Sequence, residues 1–135
     1  MKVHGACHCG AITYEADVEP NTVNICHCHD CQTLTGSAFR ANVSTPADKF
    51  RILTGKPRPY VKVAESGAKR VHAFCDACGS PIYSSAVENP KTYSLRVGAL
   101  KERDQLGVPA RQIWTKRRLR WVPKIGDVPA IEGQP

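Results

Sequence analysis

Apolar and polar residues alternate along much of this chain, in runs too short and too strict for a helix. The alternation recurs in "AITYEA" (11–16), "SAFRANV" (37–43), "FRILTG" (50–55), "RPYVKV" (58–63), "RVHAF" (70–74), "PIYSS" (81–85) and "TYSLRVG" (92–98). Residues two apart share one face of a strand, so each run predicts a strand that buries one side. Gly, Pro, Asn and Asp fill the gaps, as in "TGKPRP" and "ENPK", and mark turns. No segment sustains a helical stripe over the roughly ten residues a helix usually needs, and one helical turn is expected within 28–35. The fold class predicted is all-β, with short strands and little helix. The stretch "PKIGDVPAIEGQP" (123–135) holds three prolines and two glycines and reads as an extended tail beyond a single domain of residues 1–122.

Charge changes this picture little. The formal balance of +7 over 135 residues invites a nucleic-acid reading, but it counts all seven cysteines as neutral. Seven thiolates on two divalent ions would lower it by three, to +4, which is an ordinary surplus. The opening "MKVHGACHCG" lacks the apolar core of a secretory signal, and no run of about 18 apolar residues exists. A cytoplasmic setting is therefore expected, with no membrane span. Thiols stay reduced there, and an odd number of cysteines cannot pair completely within one chain, so metal ligation is the better use for them.

The cysteines fall into three groups: Cys7 and Cys9 (C-x-C), Cys26, Cys28 and Cys31 (C-x-C-x-x-C), and Cys75 and Cys78 (C-x-x-C, followed by Gly79). Structural zinc sites are closed by four protein ligands, whereas catalytic sites use three and keep a position for water or substrate. Seven divides as four plus three: Cys7, Cys9, Cys75 and Cys78 on one zinc, and Cys26, Cys28 and Cys31 on a second. The competing division is a zinc ribbon of Cys28, Cys31, Cys75 and Cys78, leaving Cys7, Cys9 and Cys26 over. It separates Cys26 from Cys28 and spans a gap longer than compact modules use.

The motifs "GACHCGAITYE", "CHCHDCQTLTGSAF" and "FCDACGSPIY", with "LRVGAL" and "IWTKRRLRWV" further on, resemble the glutathione-dependent formaldehyde-activating enzyme family, whose zinc-binding domain also occurs in centromere protein V. The resemblance implies a zinc-pinned sheet fold of the β-tent type. It implies a structural zinc on Cys7, Cys9, Cys75 and Cys78, a catalytic zinc on Cys26, Cys28 and Cys31, and C-terminal strands through residues 113–122. It also implies a carbon–sulfur lyase acting on a thiol such as glutathione and a small carbonyl compound such as formaldehyde.

A zinc with three thiolates is sulfur-rich and carries a net negative site charge, so it suits a soft fourth ligand, a substrate thiol, better than water activation. His27 and His29, between the ligands, are candidate proton relays or substrate hydrogen bonders, but a bracing or solvent-facing role is preferred for both, and for His8. Gly36 and Ser37 could offer backbone N–H groups to a carboxylate, or simply turn the chain. Arg40 and Arg51 are candidates for a substrate carboxylate, against a solvated strand face. Lys116, Arg117, Arg118 and Arg120 lie between Trp114 and Trp121. They could grip nucleic acid, but a charged, protected edge strand, with the tryptophans in the core or an interface, explains them as well. A non-catalytic module for nucleic acid or protein partners is thus the alternative to an enzyme. A homodimer is compatible with either.

Overall fold

A computed structural model describes all 135 residues, Met1–Pro135. In chain order the elements are β1 (Lys2–Ala6), β2 (Thr13–Asp17), β3 (Asn24–Cys26), α1 (His29–Thr35), β4 (Arg40–Pro46), β5 (Phe50–Thr54), β6 (Arg58–Val63), β7 (Lys69–Phe74), β8 (Pro81–Ala86), β9 (Thr92–Arg96) and β10 (Arg111–Ile113), with short 3₁₀ turns between some of them. The class is all-β. The seven-residue α1 is the sole α-helix. No helix is long and apolar enough to cross a membrane.

The strands form two sheets, one of three strands in the order β1-β2-β5 and one of seven in the order β10-β3-β4-β9-β8-β7-β6. All neighbours pair antiparallel except β10 and β3, which are parallel. One apolar core joins both sheets: Val3, Tyr14 and Ala16 of the small sheet pack with Val43, Ile82 and Leu95 of the large one. Tyr14, Phe50, Tyr83 and Tyr93 add a chain of aromatic contacts across it, mostly edge to face. Gly5 sits where a Cβ would overlap the Tyr14 ring. The small sheet can close over this tyrosine only because that residue has no side chain.

The alternation of the sequence becomes a division of faces in the large sheet. Val43 and Leu95 lie opposite each other in the register and turn to the core. On the other face the register aligns Cys26 with Arg40, Asn42 with Arg96, Ser94 with Ser84, Ser84 with His72, and His72 with Tyr60. This polar face carries α1 at one end.

The basic segment departs from expectation. No strand runs through 114–121: β10 ends at Ile113, Trp114 takes a left-handed conformation (φ 56°), and Thr115–Arg117 is a 3₁₀ turn. A left-handed residue cannot continue a ladder, and it swings the following residues off the sheet edge. Trp114 and Trp121 are exposed rather than part of the core. Beyond them Val122–Asp127 is a surface 3₁₀ turn.

Candidate functional site

The first cysteine group is assembled by two tight turns. Cys7 and Cys9 lie between β1 and β2, and Cys75 and Cys78 between β7 and β8. All four sulfurs lie within 4.8 Å of one another. Cys7 and Cys9 are 3.6 Å apart, and Cys9 and Cys75 3.8 Å. A tetrahedron of thiolates around zinc, with bonds of about 2.3 Å, has an edge of about 3.8 Å. Gly79 (φ 79°) returns the chain after Cys78, its N–H donating to the Cys75 carbonyl at 2.7 Å. The Ile12 N–H donates to Cys7 Sγ at 3.2 Å. Ser80 joins the two turns: its Oγ lies 3.2 Å from Cys78 Sγ and accepts from the His8 N–H at 2.9 Å. The Ser80 hydroxyl brings the Cys78 thiol down to about 5. Sulfur spacing and amide donors both fit a four-thiolate metal centre.

The second group lies at the end of the polar face. Cys26 closes β3, Cys28 caps α1, and Cys31 occupies its first turn, the Cys28 sulfur accepting the Cys31 N–H at 3.3 Å. Their sulfurs also lie within 4.8 Å of one another. The hydrogen bond from Cys31 brings the Cys26 thiol down to about 5, and the same pairing pushes Cys31 well above the usual thiol range. Three sulfurs so close cannot all ionise at neutral pH without a cation among them, so this donor set fits a soft divalent metal. The ribbon division is not what the fold assembles, because Cys28 and Cys31 belong to one cluster and Cys75 and Cys78 to the other.

The remaining candidates separate clearly. His27 is fully buried, its Nε2–H donating to Gln112 Oε1 at 2.7 Å and its ring edge-on to Phe39. It braces the loop. His29 is exposed, its Nδ1 accepting from Arg117 at 3.2 Å beside a cavity of about 260 Å³ that Cys28, Lys62 and Trp114 also line. His8 donates its backbone N–H to Ser80 Oγ. The Gly36 and Ser37 N–H groups are consumed in capping α1, on the carbonyls of Gln32 and Thr33, so they are not free for a ligand. Arg51 is engaged with Glu15 on the small sheet, away from the cysteines. Arg40 is 4 % exposed and directly opposite Cys26. Among the basic residues near the C-terminus, Lys116 rests over the Trp114 ring and Arg117 reaches Glu65 at 3.5 Å.

Sequence reasoning missed three residues of this site. Gln32 donates to the carbonyls of His27 at 2.7 Å and Arg117 at 3.0 Å, tying the cysteine loop to the C-terminal segment. His72 and Arg96 come from strands whose alternation revealed only that they shared a face. Only the strand order brings them to Arg40.

Comparison with known proteins agrees with this architecture. A crystal structure of a Rhodobacter sphaeroides protein, determined by structural genomics, superposes with a TM-score of 0.59 at 24% identity, covering 81% of this chain and 98% of that one. It supports the fold alone. The family model for the glutathione-dependent formaldehyde-activating enzyme matches residues 2–117, a span that takes in both cysteine clusters and the strands that carry them. The chain belongs to the glutathione-dependent formaldehyde-activating enzyme family.

Proposed function

We propose that this chain is a zinc-dependent enzyme that makes or breaks a carbon–sulfur bond between a small thiol, glutathione in the family's naming reaction, and a carbonyl compound such as formaldehyde. The observation that carries this reading is the inequality of the two clusters: four cysteines converge in one and three in the other. In it Cys7, Cys9, Cys75 and Cys78 hold a structural zinc that pins two distant turns. Cys26, Cys28 and Cys31 hold a second zinc as ligands throughout, not as nucleophiles. Zinc bound there would supply the positive charge that keeps an incoming thiol deprotonated at neutral pH.

The chain's own groups do the rest. Cys28 and Cys31 are fixed by the first turn of α1, and Cys26 by its ladder to Arg40, so the donor triangle is rigid before substrate arrives. Arg40, buried beside the cysteines, adds positive charge to the surroundings of the cluster. In the synthetic direction the thiol sulfur attacks the carbonyl carbon. The carbonyl π pair moves to oxygen, and that oxygen takes up the proton the thiol gave up. Thiol plus aldehyde gives a hemithioacetal, with nothing oxidised or reduced.

The test is to replace zinc by cobalt and add glutathione or S-methylglutathione. Entry of a sulfur strengthens the thiolate-to-metal absorption and releases a proton, and the S-methyl compound does neither. Equal responses to the two compounds would remove the thiol from this reading.

A further inference from the structure

Next to the three-cysteine cluster, the polar face of the large sheet buries two arginines with no carboxylate. Arg40 and Arg96 are 4 % and 7 % exposed. Arg96 donates to Asn42 Oδ1 at 2.6 Å and to His72 Nδ1 at 3.1 Å, and Arg40 approaches the same His72 nitrogen at 3.4 Å. The Nε of each guanidinium is buried and has no partner. Neither arginine takes part in any of the five ion pairs of the chain. Arginine stays charged on burial, and a buried charge is ordinarily paired.

The surroundings do not supply the missing charge. His72 accepts hydrogen bonds from both guanidiniums through one nitrogen, so it is neutral, and burial beside Arg96 and Arg40 brings its pKa down to about 3. Arg70, on β7, adds further positive charge to its surroundings, whereas Lys62 on β6 is spent on Asp30 at 2.8 Å. Three thiolates on a divalent ion carry a single net negative charge, which leaves a surplus against two guanidiniums. The arginines open into a cavity of about 360 Å³ whose lining includes Leu34, Tyr60, His72 and Phe74, and no Asp or Glu. Apolar walls with a cationic floor suit a small anion on a short organic body.

We propose that this cavity is the acceptor for a carboxylate of the substrate, held by Arg40 and Arg96 beside the three-cysteine cluster, so that the enzyme prefers thiols and thiol adducts that carry a carboxylate. This rests on the thiol reading given above. His72 is a positioning residue here: one acceptor nitrogen holds both guanidiniums at the cavity wall.

The experiment uses the zinc-loaded full chain, labelled with ¹⁵N, and three probes: 3-mercaptopropionate, 2-mercaptoethanol and propionate. Arginine Nε–H signals are followed by NMR and assigned by their loss in Arg40→Met and Arg96→Met. The acid thiol is expected to bind about tenfold or more tighter than the neutral thiol and to shift both Nε–H signals. In Arg96→Met that preference falls to within about threefold. Arg96→Lys, which keeps the charge but loses the planar fork, gives the same comparison should the methionine variant not fold. Equal affinity of the two thiols with unmoved Nε–H signals would overturn the carboxylate site and leave the thiol reading standing. Propionate shifting both signals, while neither thiol binds better than propionate, would sustain the site and remove the thiol reading. No binding of any probe would end both.

Discussion

The sulfurs of Cys9 and Cys75 lie 3.8 Å apart although 66 residues separate them in the chain. A metal held across such a span closes about half of the chain into one loop, and binding free energy at a site absent from the unfolded chain is folding free energy. Cys78→Ala is therefore expected to abolish cooperative unfolding or lower its midpoint severely, a loss on the scale of the roughly 10 kcal/mol that structural zinc can contribute. Cys28→Ala should keep its β-sheet circular dichroism and lose one metal ion by elemental analysis. Equal collapse of both variants would make the three-cysteine cluster structural too.

Native mass spectrometry of freshly purified protein should give two zinc ions per chain. On titration with a chelator the three-cysteine cluster should release its ion first, because its fourth position is open to the competing ligand. The order is read by alkylation: Cys28 should become reactive before Cys78. Simultaneous release would contradict the open and closed assignment.

Much of this arrangement was legible because its determinants are local. The cysteines that share a turn are two or three residues apart, and "CHCHDC" places its three sulfurs through one strand end and one helical turn. The alternating runs located β2 and β4 to β9 within a few residues. The strand expected from Ser37 begins at Arg40 because Gly36 to Phe39 are the exit from α1. Strands β3 and β10 have three residues each, too few to show a period, and their parallel pairing depends on everything between them. The segment "WTKRRLRW" misled because charge and aromatic content mimic an edge strand, while the left-handed turn at Trp114 leaves no mark in composition. Arg96 and His72 are 24 residues apart, and only the order β9-β8-β7 makes them neighbours.

Gly5→Ala should be costly. The added methyl meets the ring of Tyr14, which is fully buried, and the small sheet must move to admit it. Overpacking of this kind costs about 1–3 kcal/mol, so a urea midpoint should fall with little change in slope. An unchanged midpoint would mean that the β1–β2 hairpin yields more easily than its packing implies.

The His72 ring should stay neutral through mildly acid pH, and its NMR signals should not titrate between pH 8 and 4. Burial is the larger cause and the charge of Arg96 the next, and together they bring the pKa to about 3. An unfolded histidine protonates near 6.5. Between these values the unfolded chain binds the extra proton, so this group's contribution to stability is complete above about pH 6.5 and lost as pH falls towards 3. His72→Gln, which keeps an acceptor but cannot titrate, should flatten that part of the stability profile. A ring that titrates near 6.5 in the folded protein would show that the two arginines do not share it.

Gln32 gives the sharpest separation between local and global stability. Its amide donates to the His27 carbonyl inside the cysteine loop and to the Arg117 carbonyl of the C-terminal 3₁₀ turn, 85 residues further along the chain than Gln32, so one side chain holds two distant segments. Gln32→Ala would leave both carbonyls short of a donor, at about 1–3 kcal/mol. The strap lies outside the core between the sheets, so local opening of the loop and the turn caps the loss, and the global unfolding midpoint should fall by less than in Gly5→Ala. Amide exchange should instead quicken around His27–Cys31 and Thr115–Arg117, and the three-cysteine cluster should lose its metal to chelator faster while the four-cysteine cluster keeps its own. Gln32→Glu is the control. It has nearly the same shape but no donor, and a carboxylate facing two carbonyl oxygens is repelled by both, so it should behave like alanine or worse. If the glutamate variant matched the natural protein in exchange and metal release, the strap would be a contact without consequence, and the rigidity of the cysteine triangle would have to come from the first turn of α1 and the β3–β4 and β3–β10 ladders alone.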